Sequence, residues 1–313
     1  MNENDQKLVK SIINSLSNRL KSLVNDFIID KSKAFVTLKA NDSKDAATLE
    51  GARKEIEEIL KKSGYFDEVY VSFVEKEKLF DNVIAISSCK GGVGKSTIAV
   101  NIALSLTRLG YEVGILDADI YGPSVPNLLN ISDKPDVDEK KKIIPIIKER
   151  LKIMSMGLLI DEEKPIVWRG PMIQNALTQL VDEVKWGKLD YLVVDLPPGT
   201  GDAYLAILQK LKITKSVIVT TSQSLAIADT QKGINLMLKF NVPITGIIEN
   251  MSYFKCKNCS QNNYIFGKTG TEELAKKFNT KVIAKIPIFS DAEKNVNQSK
   301  EKLYDNLVGK LLS

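Results

Sequence analysis

The sequence predicts an α/β domain built on a mostly parallel sheet flanked by helices, preceded by a small α+β domain. Three observations lead there. From Val83 onward, short apolar runs recur at long intervals: "VIAISS", "EVGILD", "YLVVD", "SVIVT", "ITGIIE" and "KVIAKI". Strands buried on both faces read this way, and the gaps leave room for crossover helices. The first run ends in a glycine-rich turn followed by an apolar helical stretch, "STIAVNIALSLTRLG". Upstream of Val83 the pattern is different, with helical periods and alternating runs mixed in one short segment. A chain of 313 residues suits such a division into two domains.

Residues 1–75 read as the small domain. Leu8, Ile12, Leu16, Leu20 and Leu23 recur at helical spacing. "NDFIID" and "KAFVTLKA", parted by a polar turn, read as a hairpin. "SKDAATLEGARKEIEEILKKSG" reads as a second helix; Leu49, Ala52, Ile56, Ile59 and Leu60 form its apolar face, and Gly64 stops it. "EVYVSF" is a further strand. The charged run around Glu75 to Lys78 marks a linker, 76–81, and 82–313 form the larger domain.

The first strand of that domain ends in "SSCKGGVGKST". A glycine-rich turn between strand and helix exposes backbone N–H groups that cradle phosphate oxygens at the positive end of the helix. Gly91, Gly92 and Gly94 allow the tight turn, with Val93 between them. Lys95 is expected to reach the β- and γ-phosphates and Ser96 to bind Mg²⁺, with Thr97 beside it. Cys89 stands where G-x-x-x-x-G-K-[ST] has its first glycine, which requires backbone angles that a side chain tolerates. In open α/β sheets ligands sit at the carboxyl ends of strands, and carboxylates mark those ends here. "GILDADIYGPS" places Asp117 and Asp119, and "YLVVDLPPGTGD" places Asp195, the position that holds Mg²⁺ through water. Gly199, Thr200 and Gly201 follow as a flexible switch. Asn250 ends the "ITGIIEN" run; its amide both donates and accepts, which suits adenine N6 and N7. No N-K-x-D sequence for guanine is present, so ATP is favoured over GTP. The C-terminal "EKLYDNLVGKLL" is weakly amphipathic and reads as a core-packing helix, with a membrane-surface anchor as the lesser alternative.

Composition narrows the partners. The formal charge is +5, but of 44 basic residues only Arg19, Arg53, Arg108, Arg150 and Arg169 are arginine. The lysines are interleaved with acids, as in "KEIEEILKK", which describes a solvated surface and not a nucleic-acid stripe. The polar N-terminus offers no signal peptide, and no run approaches bilayer length. Three cysteines make no disulfide framework. The expectation is a cytoplasmic protein acting on neither membrane nor nucleic acid. In that setting "KCKNCS", with Cys256 and Cys259, points to a metal or redox device. A tetrahedral site wants four ligands, and the chain has no histidine. From the pair alone, zinc is at least as good a reading as an iron–sulfur cluster.

"KGGVGKST" resembles the deviant phosphate loop of the MinD, ParA, ArsA and nitrogenase-iron-protein superfamily. That resemblance implies that Lys90 reaches across a dimer to the partner's nucleotide. It also implies that Asp117 supports the metal shell, that Asp119 orients the attacking water, and that Asn250 meets the base. "LDADIYGPSVPNLL", "IMSMGLLI", "VWRGPMIQNAL", "WGKLDYLVVDLPPGTGDAYL" and "ENMSYFKCKNC" resemble, more narrowly, the Mrp/ApbC family of iron–sulfur cluster carrier ATPases, over about residues 80 to 290. Residues 1–75 resemble that family's MIP18-like domain, without its D-P-E and P-A-C segments. Ser222 stands where the family usually has proline, and the arginine often found after Pro287 is missing.

The resemblance implies a homodimer around ATP, with Cys256 and Cys259 of each chain holding a shared cluster, 4Fe–4S favoured. It further implies slow, switch-like ATP hydrolysis, upstream scaffold proteins and recipient apoproteins. The alternative is a positioning ATPase of MinD or ParA type with a structural zinc site. A redox Cys-x-x-Cys usually opens a helix, whereas this pair follows "NMSYF" in a loop.

Overall fold

The computed structural model describes residues 3–40, 46–75, 79–159, 170–256, 258–268, 270–289 and 296–313. The chain divides into two compact units, Met1–Lys78 and Leu79–Ser313.

In the first unit the leucine-rich N-terminal stretch is two helices, α1 (Glu3–Ser15) and α2 (Asn18–Leu23). The break has a local cause. Ser17 is extended and its hydroxyl accepts from Leu20 N, so it caps a new helix instead of continuing the old one. Strands β1 (Val24–Asp30) and β2 (Lys33–Ala40) form the expected antiparallel hairpin. Helix α3 (Ala46–Lys62) then returns the chain so that β3 (Glu68–Glu75) pairs parallel to β2. Leu20, Phe27, Val36, Leu38, Ile56 and Leu60 form the buried core of this unit.

The second unit is an eight-stranded sheet. Strand β4 (Phe80–Ser87) leads into helix α4 (Lys95–Arg108), and β5 (Val113–Asp117) follows, ending before the short helix α5 (Val125–Leu128). Phe80 and Asp81, read above as linker, already belong to β4; the Phe80 ring packs edge-on against Trp186, 6.2 Å between centroids. Of the rest of the proposed linker, 76–78 lie outside the described residues and Leu79 is the residue just before β4. Next come β6 (Ile146–Lys148), β7 (Leu151–Ser155), α6 (Gly170–Thr178), β8 (Leu189–Asp195), α7 (Asp202–Lys210), β9 (Lys215–Thr220), α8 (Ser224–Lys239) and β10 (Ile244–Glu249). A small hairpin, β11 (Phe254–Lys255) and β12 (Asn262–Asn263), precedes α9 (Gly270–Lys277), β13 (Val282–Lys285) and α10 (Val296–Leu312).

The strand order is β13-β10-β9-β4-β8-β5-β7-β6. All pairings are parallel except that of the edge strand β6 with β7. That edge hairpin was not legible as two strands. Its turn is Glu149–Arg150, both at positive φ (50° and 65°), the geometry that usually announces itself with asparagine and glycine.

Each face of the sheet is covered by its own helices. One core gathers Trp186, Tyr204, Ile234 and Leu274 from the α6, α7, α8 and α9 side. The other gathers Ile98, Ile102 and Leu106 of α4 with Tyr304, Leu307 and Leu311 of α10. Each such aliphatic side chain, fully buried, stabilises the fold by about 1.5–3 kcal/mol. The C-terminal amphipathic stretch therefore spends its apolar face on α4. No helix among the described residues is long and apolar enough to cross a membrane. The parallel order brings the carboxyl ends of β4, β5, β8, β9 and β10 to one rim of the sheet.

Candidate nucleotide site joined to a cysteine pair

The glycine-rich turn closes β4 and opens α4. Gly92 and Gly94 sit at φ 77° and 84°, a region that a side chain strongly disfavours. Gly94 is the residue from which α4 starts, and no side chain caps that end. The first-turn N–H groups are thus free for an anion. Cys89 is not among the positive-φ residues, which meets the condition set by the sequence. Its thiol is accommodated by Gly233 on α8, where an added Cβ would lie 2.1 Å from Sγ. Burial pushes that thiol up to about 11, against the pull of the Gly233 backbone. Gly199 N donates to Ser88 O (3.0 Å), tying the loop after β8 to the start of the turn.

Lys95 is nearly buried and its Nζ donates to Asp195 Oδ1 at 2.5 Å, with Ser96 Oγ at 3.4 Å. Asp195 and Asp117 end neighbouring strands in register, and both are fully buried. Their oxygens are used differently. Asp117 Oδ2 accepts from Ser124 N and Val125 N (3.0 Å each) and Ser155 Oγ (3.1 Å), while Oδ1 accepts from Asp119 N (3.2 Å). Asp117 therefore clamps the loop that carries Asp119, whose own Oδ1 accepts from Gly122 N at 3.3 Å. Asp195 Oδ2 is buried with no hydrogen-bond partner among the described residues.

Burial pushes the Asp117 carboxyl up to about 7, with the charge of Asp195 adding to it and the Val125 N–H opposing. Asp195 is raised too, first by burial, against the pull of Lys95. An acid raised on folding keeps its proton longer in the folded chain. Between roughly pH 4 and pH 7 the folded state then binds more protons than the unfolded state, so this contribution to stability falls as pH rises through that window. Thermal melts of nucleotide-free wild type and Asp117→Asn should show it: the variant's Tm relative to wild type rises across this window and levels above it. A difference independent of pH would contradict the raised carboxyl.

Beside the turn lies a cavity of about 460 Å³, lined in part by Gly94, Thr97, Asn101, Asn250, Pro287 and Phe289. Its size suits a nucleoside. Asn250 lines it, and its Nδ2 donates to Val93 O at 2.8 Å. The amide also packs against the phosphate loop, where an added Cβ on Gly94 would lie 2.3 Å from its nitrogen. Lys300 lies over the Phe289 ring, 5.0 Å from its centroid, and lines the same cavity from α10. Neither residue was expected at the site; both lie far along the chain from the phosphate loop, and α10 brings Lys300 there by packing beside α4.

The strip that leaves Asn250 runs along the cavity wall. Ser252 N donates to Ile286 O, Ile288 N donates to Tyr253 O (2.8 Å each), and Phe254 bridges to Ile288. Two residues later β11 and β12 present Cys256 and Cys259 on a tight loop separate from the main sheet. Cys256 N donates to Gln261 O (2.9 Å) and Ser260 N to Cys256 O (2.8 Å). Cys256 is half-buried and Cys259 exposed. The Cys259 and Asn258 N–H groups hold the Cys256 thiol below its usual value. Among the described residues no three metal-ligating side chains converge; the pair stands alone. Lys90, on the exposed front of the phosphate loop, directs Nζ to Gln223 Oε1 at 3.5 Å. Thus Lys90 through Thr97, Asp117, Asp119, Asp195 and Asn250 share one rim of the sheet, with Cys256 and Cys259 at the end of the strip that leaves it.

Residues 80–308 match the ParA family model described as NUBPL iron-transfer P-loop NTPase. The chain is 48% identical over 209 residues to the iron-sulfur cluster carrier protein of Aquifex aeolicus, covering 66% of this chain and 57% of that one. It is 48% identical over 209 residues to the iron-sulfur cluster transfer protein NUBPL of Dictyostelium discoideum, with 66% and 65% covered. The match thus spans less than two thirds of these relatives' own length. Among solved structures, a nucleotide-binding protein of Archaeoglobus fulgidus in complex with ADP is 36% identical with a TM-score of 0.60, covering 75% of this chain and 90% of that one. The cell division ATPase MinD of Pyrococcus furiosus, 17% identical at a TM-score of 0.51 and covering 74% and 98%, shares the fold.

Proposed function

Because the chain belongs to the ParA family of NUBPL iron-transfer P-loop NTPases, we propose that it is an ATP-dependent carrier that holds an iron–sulfur cluster between two copies of itself and passes it to apoproteins. The observation that carries this reading is the joining of the two sites. The backbone strip that walls the nucleoside cavity continues beyond Asn250 into Cys256, six residues on, and then Cys259. Two thiols cannot complete a Cys₄ site, but a twofold axis supplies four. An exposed hairpin is also a place from which a cluster can be handed over. The names of the relatives from Aquifex aeolicus and Dictyostelium discoideum support the same cargo. Function of this kind suits a reducing compartment such as the cytoplasm, where the thiols stay free.

The residues divide the nucleotide chemistry among them. The N–H groups of the turn from Lys90 to Thr97 cradle the phosphates, and Lys95 leaves Asp195 to meet their charge. Asn250 and the cavity hold the base, adenine being favoured. Ser96 and, through water, Asp195 would hold Mg²⁺; the unpartnered Asp195 Oδ2 fits that use. Bound there, Mg²⁺ would neutralise charge on the phosphates. Asp117 fixes the loop, and Asp119 on that loop orients the attacking water. Lys90, exposed at the front, reaches the nucleotide of the partner. Turnover is slow, as a switch requires.

Asp119 and Asp195 should therefore separate in phenotype. Asp195→Asn weakens Mg·ATP binding by roughly tenfold or more, the scale of one lost charge-assisted contact. Asp119→Ala binds ATP as wild type does but accumulates an ATP-bound state. Equilibrium binding and single-turnover hydrolysis measure the two effects; equal loss of ATP binding in both variants would contradict these roles. The carrier function itself is tested by anaerobic reconstitution with iron and sulfide, followed by incubation with an apoenzyme that needs a 4Fe–4S cluster. Visible thiolate-to-iron absorbance and recovery of the acceptor's activity are expected. A protein that takes up only zinc, colourless and inert toward the acceptor, would overturn the proposal.

A further inference from the structure

Glu249 ends β10, is fully buried, and has no part in the chemistry above. A buried carboxylate is costly unless donors satisfy it. Three hydroxyls do so, each from a different segment. Ser222, after β9, donates to Oε1 at 2.9 Å; Ser252, on the strip toward the cysteines, donates to the same oxygen; Thr271, in the first turn of α9, donates to Oε2. An apolar side chain would fill the space without this arrangement, so the polar network specifies positions as well as volume.

The neighbours of Ser222, Glu249 and Ser252 link the network to the nucleotide site. Gln223, next to Ser222, is the contact of Lys90. Asn250, next to Glu249, holds Val93 O in the phosphate loop. Ser252 is bonded through its N–H to Ile286 on the cavity wall. Because Ser222 and Ser252 share Oε1, a displacement of one changes the hold on the other.

We propose that Glu249 is a positioning residue that relays nucleotide occupancy to the cysteine hairpin, along Lys90, Gln223, Ser222, Glu249, Ser252 and Cys256. When Lys90 leaves Gln223 for a nucleotide, the segment carrying Ser222 is released. Glu249 then settles on Ser252 and Thr271, and the strip leading to Cys256 shifts with it. The proposal rests on the carrier reading above and adds the route by which the two sites communicate.

The test uses the full chain, reduced and free of cluster. Alkylation of Cys256 and Cys259 by iodoacetamide is followed residue by residue by mass spectrometry, with and without a non-hydrolysable ATP analogue and Mg²⁺. In wild type the nucleotide should change the rates about fivefold or more, the scale of a typical coupling between sites. In Glu249→Gln, whose amide cannot accept on both atoms, the nucleotide affinity is kept and the rate change collapses toward unity. Ser222→Ala, a milder change that keeps the carboxylate, gives an intermediate response and serves if Glu249→Gln does not fold. Full nucleotide response in the folded variants would overturn the relay. So would loss of nucleotide binding itself, since Glu249 would then belong to the nucleotide site. Wild-type thiols that ignore nucleotide would also overturn it, while the carrier reading would still stand or fall on reconstitution and cluster transfer.

Discussion

Lys95→Ala is expected to lose nucleotide binding almost entirely. The Lys95 ammonium lies, nearly buried, between Ser96 and Asp195 at the mouth of the α4 N-terminus. Removing a buried, hydrogen-bonded charge partner typically costs about 2–5 kcal/mol, or roughly 30- to several-thousand-fold in affinity. Two opposing effects act on the nucleotide-free protein. The variant leaves Asp195 without its cation, which destabilises the fold; a proton taken up by a carboxyl already raised by burial relieves part of that. The melting temperature should therefore fall more at high pH than at low, while nucleotide affinity is lost at both. Lys90→Ala provides the contrast. Its ammonium is exposed and touches Gln223, not the interior, so binding by an isolated chain survives and only hydrolysis that depends on two chains is lost. Calorimetric titration and a turnover assay at varied protein concentration distinguish the two. Near-normal ATP affinity in Lys95→Ala would remove the nucleotide assignment from this loop.

Cys256→Ala and Cys259→Ala are each expected to abolish cluster binding, with the fold and nucleotide binding unchanged. Either substitution leaves two of four thiolates in a symmetric pair. The structure gives the two kinds of cysteine opposite chemistry. Backbone N–H groups favour the Cys256 thiolate, which is the ligand form, and Cys259 is exposed on the same turn. Cys89 is pushed the other way by burial and faces Gly233 and Thr230 O. Cys89→Ala should thus leave the cluster intact. Since β11 and β12 form a two-stranded sheet apart from the main one, tied to the cavity wall by the Phe254–Ile288 bridge, losing a thiol there removes no strand from the core. Iron and sulfide assays on the three reconstituted variants, beside their melting curves, check this. A cluster lost only with Cys89→Ala would reverse the assignment.

Much of this was legible in the chain, for physical reasons that particular residues show. The six runs from "VIAISS" to "KVIAKI" are all strands of the sheet, five of them inner strands largely buried on both faces and the edge strand β13 burying mainly Ile283, and each was visible as a short, mostly apolar segment. The phosphate loop and the carboxylates were legible because their chemistry is local: a turn, a lysine, and an acid at the end of a strand. Features made by distant segments were not. The edge hairpin hid behind a Glu149–Arg150 turn with no glycine to mark it. The first helix concealed its break at Ser17, where an apolar period continues across a capping serine. Strands of two residues, as in the cysteine hairpin, carry no period at all. The match of Cys89 with Gly233, the Phe289–Lys300 side of the cavity, and the three hydroxyls on Glu249 are tertiary facts, and no spacing in the sequence announces them.

Iron and acid-labile sulfide per chain on the reconstituted protein, taken together with mass by size-exclusion light scattering, decide whether two chains share one cluster. The expected result is a dimer carrying one 4Fe–4S cluster, about two irons and two sulfides per chain, which reverts to apo chains when the cluster is removed. A monomer that carries a full cluster would contradict it.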